Sequence, residues 1–131
     1  MTAHFSHAME HLKNMISELT AKVEISVHLA VQAVTNLNAE SAAAVIAGDP
    51  AVDEEEIRIE EECLKILALY QPVAGDLRQV ITILKINNEI ERVGDLTVNI
   101  AERVPDMVKY QKLEIEKIDF SDMVSIACYM L

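Results

Sequence analysis

An all-α fold, an antiparallel three-helix bundle with the beginning of a fourth helix, follows from three features of this sequence. Apolar residues recur at helical spacing over three long stretches, chain breakers are few, and no strand-like alternation persists. The 131 residues contain only three glycines and three prolines. That length fits one domain and can bury a core. Aromatic residues are 4% of the chain, so the core has to be built from Leu, Ile, Val, Ala and Met.

The first helix is expected from about Phe5 to Leu37. Leu12, Ile16, Leu19, Val23, Ala30, Val34 and Leu37 share a face, with Ser26 its one polar member. Asn36 and Asn38 mark a turn. The second helix spans about Ala39 to Leu69, with a kink or short break expected at Gly48-Asp49-Pro50, where Asp49 can cap and Pro50 suits a first helical position. Gln71 to Gly75 reads as the next turn, with Asp76 as N-cap of a third helix from about Leu77 to Val104, which Pro105 ends or kinks. Asp106 to Lys117 is a charged connector. A fourth helix begins near Phe120, capped by Ser121 or Asp119, with Phe120, Met123, Val124, Ala127 and Leu131 on one face.

This divides the chain into a three-helix unit at 1–104, a connector at 105–118 and the start of a further unit at 119–131. The apolar stripe of the fourth helix stops unfinished, which suggests part of a longer protein. Uncovered apolar surface predicts self-association into a homo-oligomer.

Eleven basic against 22 acidic residues give a net charge of -11. Nucleic acid binding rests on neutralising phosphates with Lys and Arg, so nucleic acid is excluded as a partner and cations or basic protein surfaces are favoured. Cys63 and Cys128 form no CxxC pair, which argues against a disulfide framework or zinc ribbon and for small buried hydrophobes in a reducing compartment. The start of the chain carries His4 and His7 but no basic or apolar run, unlike a secretory signal. Ile25 to Ala39, the longest window free of Asp, Glu, Lys and Arg, is too short to span a bilayer. A cytoplasmic protein is expected.

The third helix contains the candidate site. Its stripe Leu77, Val80, Ile81 and Leu84 continues as Asn88, Glu91, Asp95, Asn99 and Glu102, so a packing face turns into a carboxylate and carboxamide ladder. A second stripe, Ile83, Ile86, Ile90, Val93, Ile100 and Val104, is expected to dock the helix. On the second helix, Asp49, Asp53, Glu56 and Glu60 share a face that continues as Leu64 and Leu67. Folding the two helices antiparallel about Val73 brings Asp53 level with Glu91 and Asp49 level with Asp95. Carboxylates gathered at one level repel unless something positive sits among them, and hard cations prefer such oxygen-rich sites. The same residues also fit a solvated acidic face with Lys85, Arg92 or Arg103 as counter-charges.

Three segments, Val45-Ile-Ala-Gly-Asp-Pro-Ala-Val-Asp53, Gln71-Pro-Val-Ala-Gly-Asp-Leu-Arg78 and Leu84-Lys-Ile-Asn-Asn-Glu-Ile-Glu-Arg-Val-Gly-Asp95, resemble the PhoU family over about residues 5 to 104. The QPxxxDLR and ERxGD strings are its specific part. The resemblance implies two three-helix repeats in a complete family member, of which one and the first turns of a second are present here. It implies an ExxxD metal motif on the third helix, here Glu91 and Asp95; the spacing on the second helix adds Asp49 or Asp53 as further ligands. The ion is divalent or trivalent: iron, manganese, magnesium, calcium or zinc. It also implies a regulator acting between the ATPase of a phosphate ABC transporter and a sensor histidine kinase, peripheral to the membrane only through those partners.

Other constellations read as structural. His4, His7 and His11 fit a solvated helix end, and Glu24 with His28 a surface pair. Asp76 and Arg78 fit capping and pairing, and Met9, Met15 and Met123 fit core positions. A di-iron oxidase would need Glu-x-x-His motifs, and the sequence contains none. No Ser-His-Asp set, phosphate-cradling Gly loop or nucleophilic Cys-His pair is evident, so a non-enzymatic adaptor is expected. A purely structural helical scaffold is the remaining alternative.

Overall fold

The computed structural model describes residues 3–110 and 121–131. Helix α1 is Ala3–Thr35, α2 Ala39–Tyr70, α3 Ala74–Lys109 and α4 Ser121–Met130. No strand occurs among the described residues. The first three helices each pack against the other two, while α4 lies against α1.

The seams of the bundle alternate three and four residues apart, the spacing of coiled-coil core positions. On α3 the buried residues are Val80, Ile83, Asn87, Ile90, Gly94, Thr97, Ala101 and Val104. On α2 they are Ala42, Val45, Val52, Glu56, Ile59, Cys63 and Ile66, and half-buried Asp49 fills the gap between Val45 and Val52. On α1, half-buried Ser26 fills the corresponding gap between Val23 and Ala30.

Two apolar clusters result. The larger joins Phe5, Leu12, Leu19 and Val23 to Val52, Ile59, Ile66, Val80 and Ile90. Each buried side chain of this size contributes about 1.5–3 kcal/mol, so this half carries most of the packing free energy. The smaller joins Ala30, Ala33 and Ala42 to Val45, Ala101 and Val104. Between them lies a narrow neck where Val23, Ser26, Val45, Asp49, Val52, Gly94 and Thr97 meet. Polar seam residues therefore concentrate at one level of the bundle.

Local chemistry sets the turns. The Asn38 side-chain oxygen accepts from the backbone N–H groups of Glu40 (3.0 Å) and Ser41 (3.2 Å), a side-chain N-cap for α2. Gln71 closes α2 in the left-handed region at φ 42°, its N–H donating to the Leu67 carbonyl. Phe5 and Tyr70 meet edge to face at 5.5 Å, tying the start of α1 to the end of α2.

Several local expectations do not hold. The helix does not break at Gly48-Asp49-Pro50 or end at Pro105: both prolines lie inside continuous helices. Each proline is exposed, and buried residues flank it: Val45 and Val52 around Pro50, Val104 and partly buried Val108 around Pro105. Packing on both sides holds the helix through the lost hydrogen bond. Helix α3 begins earlier than expected: Val73 is its extended N-cap residue and makes no side-chain cap. Buried Pro72 anchors the approach, and Asp76 sits inside the first turn, where a carboxylate favours the helix dipole. Of the second α3 stripe, Ile86 and Ile100 are exposed, because the docked face follows the three-four seam through Asn87, Gly94 and Thr97.

On α4 no residue is fully buried, and Met123 is exposed. Cys63 is buried, whereas Cys128 is only half-buried and not a core residue. Residues 105–109 of the expected connector belong to α3, and 111–118 lie outside the described residues, as do Asp119 and Phe120.

Gly94 supplies a test of the seam. A Cβ built there meets Val52 Cγ1 at 3.9 Å and Glu56 Oε1 at 4.0 Å, both ordinary contacts. Gly94→Ala should raise the urea midpoint, stabilising the metal-free protein by about 0.5–1 kcal/mol through helix propensity. A lowered midpoint would show that the seam needs bare backbone at this level.

Candidate metal centre

Antiparallel packing of α2 and α3 places their acidic stretches side by side. One carboxylate oxygen from each of Asp49, Asp53 and Asp95 lies within 4.8 Å of the others. Asp53, Glu56, Ile57, Glu60, Asn87, Glu91 and Asp95 line an open groove at this level. Glu91 faces the groove but stands outside the tight trio of aspartates. Expected Asp49, Asp53 and Asp95 thus converge, and Glu91 flanks them.

Counter-charges go elsewhere. Arg58 pairs with Glu54 (2.8 Å) and Glu55 (3.6 Å), and Arg92 with Glu89 (3.8 Å). Among the described residues, no Lys or Arg pairs with Asp49, Asp53, Glu56, Glu91 or Asp95. Burial, then the charges of Asp53 and Asp95, hold the Asp49 carboxyl above its ordinary range.

Glu56 is the residue the ladder reading undervalued. It is 5% exposed, and its Oε1 is buried without a hydrogen-bond partner. Desolvation, then the neighbouring charges of Glu91, Asp53, Asp95 and Asp49, push its carboxyl up to about 8. Beside it, Asn87 Nδ2 donates to the Glu56 backbone carbonyl at 3.1 Å, while Asn87 Oδ1 is buried and unpartnered. The signal in the sequence was positional: Glu56 and Asn87 occupy seam positions, where a polar residue is buried by register.

This donor set fits a hard cation. It is all oxygen, pairs with no Lys or Arg among the described residues and contains an orphaned buried carboxylate oxygen, which a cation would satisfy.

A sequence profile for the PhoU domain matches residues 16–104. The chain belongs to the PhoU family. A phosphate-specific transport system accessory protein PhoU homolog of Aquifex aeolicus is 41% identical over 95 residues, 72% of this chain and 43% of that protein. Its counterpart PhoU homolog 1 of Thermotoga maritima is 33% identical over 127 residues, 94% of this chain and 55% of that protein. The crystal structure of the phosphate transport system regulatory protein PhoU from Streptococcus pneumoniae superposes with a TM-score of 0.79 at 26% identity, covering 96% of this chain and 58% of that one. This PhoU chain spans about half the length of the curated relatives it matches.

The PhoU groove carries a pH signature. The unfolded Glu56 carboxyl titrates near 4.5 and the folded one near 8. Between those values the folded protein holds a proton that the unfolded chain has released. Its stabilising share is complete below the lower value and is lost as pH rises through the upper one. Metal-free Glu56→Gln should lack this fall and exceed wild type by on the order of 1–3 kcal/mol at about pH 9. Thermal melts in chelator at about pH 6 and about pH 9 check it, and parallel curves for the two proteins would refute it.

Proposed function

We propose that this protein is a cytoplasmic, non-enzymatic regulator of phosphate uptake and phosphate-starvation signalling. In this reading it works between the ATPase of a phosphate ABC transporter and a sensor histidine kinase. Family membership carries the proposal, since the relatives are named accessory proteins of phosphate-specific transport. No helix among the described residues is long and apolar enough to cross a membrane, so the reading routes membrane contact through the partners. The groove lining offers carboxylates and a carboxamide but no Ser, Cys or His nucleophile, which favours an adaptor. Exposed Leu64, Leu96 and Ile100 support self-association.

In the same proposal, Asp49, Asp53 and Asp95, with Glu56 and Glu91 beside them, hold a hard divalent or trivalent cation. The orphaned Glu56 oxygen and the absent counter-charge support this. Because the donors come from α2 and α3, a bound cation would draw the two helices together at the neck.

Disrupting the coding sequence should raise phosphate uptake and starvation-gene expression in phosphate-replete medium, and the wild-type gene should restore both. Uptake and expression that stay unchanged on disruption contradict the regulatory role. For the centre itself, manganese at about 100 times its dissociation constant should add about 2.7 kcal/mol to wild-type stability. The Asp53→Asn, Asp95→Asn double variant should lose most of that gain. An equal rise in melting temperature for both proteins would mean that the cation binds elsewhere.

A further inference from the structure

A second cluster of donors lies outside the acidic groove and has different chemistry. His28 Nε2 on α1 stands 3.5 Å from Cys128 Sγ on α4 and 4.0 Å from Glu24 Oε1, one turn back on α1. One ligand atom from each of the three residues lies within 4.8 Å of the others. These are a sulfur, an imidazole nitrogen and a carboxylate oxygen, the mixture that zinc and its borderline neighbours prefer over magnesium or calcium.

The spacing agrees with coordination. In tetrahedral zinc, Zn–S of about 2.3 Å and Zn–N of about 2.0 Å place the two donors about 3.5 Å apart. The sulfur and nitrogen already stand at that separation, and a small rotation of the Glu24 side chain would bring its oxygen into the same sphere. Cys128 is half-buried and His28 exposed, so one side stays open to water as a fourth ligand. Neither cysteine is in a disulfide.

We propose that Glu24, His28 and Cys128 form a zinc site, separate from the carboxylate centre, that clamps α4 onto α1. The fold gives such a clamp a purpose. Among the described residues α4 packs against α1 and has no fully buried residue, so a bound ion would add a cross-link where apolar contact is slight. A three-donor site joining the helices would make docking of α4 depend on zinc. Removing the ion would leave a thiol–imidazole hydrogen bond between α1 and α4 in its place.

Cobalt substitution of the whole chain under reducing conditions tests this. Wild type should show thiolate-to-cobalt charge-transfer absorption and tetrahedral ligand-field bands, displaced by zinc. Cys128→Ser should abolish the charge-transfer band, and His28→Gln should weaken zinc binding by roughly 100-fold. The Asp53→Asn, Asp95→Asn variant, which removes the acidic groove, should keep the band. Circular dichroism will confirm folding of each variant, which the surface position of α4 favours. Hydrogen exchange across Ser121–Met130 should slow when zinc is added. No band in wild type, or a band that survives Cys128→Ser and so belongs to Cys63, overturns the site. Unchanged exchange in α4 overturns the clamp.

Discussion

A carboxylate placed in the seam of a coiled-coil-like bundle is the constraint around which the rest of this structure is arranged. At Glu56 the three-four register demands burial, yet the residue is acidic, has an unpartnered oxygen and is surrounded by like charge. A buried charge without compensation is strongly unfavourable, so the group has to be neutralised by a proton or by a cation. The large aliphatic cluster on one side and the alanine-rich cluster on the other supply the stability that tolerates this break.

The polar neck gives the bundle a place where solution composition can act on helix packing. Aspartates from α2 and α3 face one another across it, while Arg58 and Arg92 pair with Glu54, Glu55 and Glu89 instead. The helices that carry it are long and continuous even through Pro50 and Pro105. A change at the neck therefore falls between two well-packed ends and is not absorbed by a loop. In the proposed regulator, that is a means of coupling the bound ion to the surface offered to partners. The Glu24–His28–Cys128 cluster on the α1–α4 contact extends the same logic to a softer ion and a more weakly held helix.

Much of this was legible in the residues. Apolar periodicity marked the three long helices, and the antiparallel count about Val73 matched Asp49 with Asp95 in height. The buried polar residues of the seam were hidden by their register. The ladder through Asn88, Glu91, Asp95 and Glu102 lies about one position off the buried face, which runs through Asn87, Gly94 and Thr97. Those polar and small residues do not look like core, so Glu56 was counted with the surface acids. Pro50, Pro105 and Asp76 misled for a different reason: local breaker and cap preferences are worth a few kcal/mol at most, and burial of flanking side chains outweighs them. The approach of Cys128 to His28 spans a hundred residues of chain, and no periodicity within one helix encodes it.

The central claim is that burial and the neighbouring carboxylates keep Glu56 protonated near neutrality, and that a cation removes this need. Carbon-detected NMR of the Glu56 side-chain carboxyl, followed over pH with and without magnesium, tests it most directly. The account predicts titration near 8 in chelator and an ionised carboxylate well below that pH once magnesium is bound. Titration in the ordinary carboxylate range without metal, or a midpoint that magnesium leaves unmoved, would contradict it.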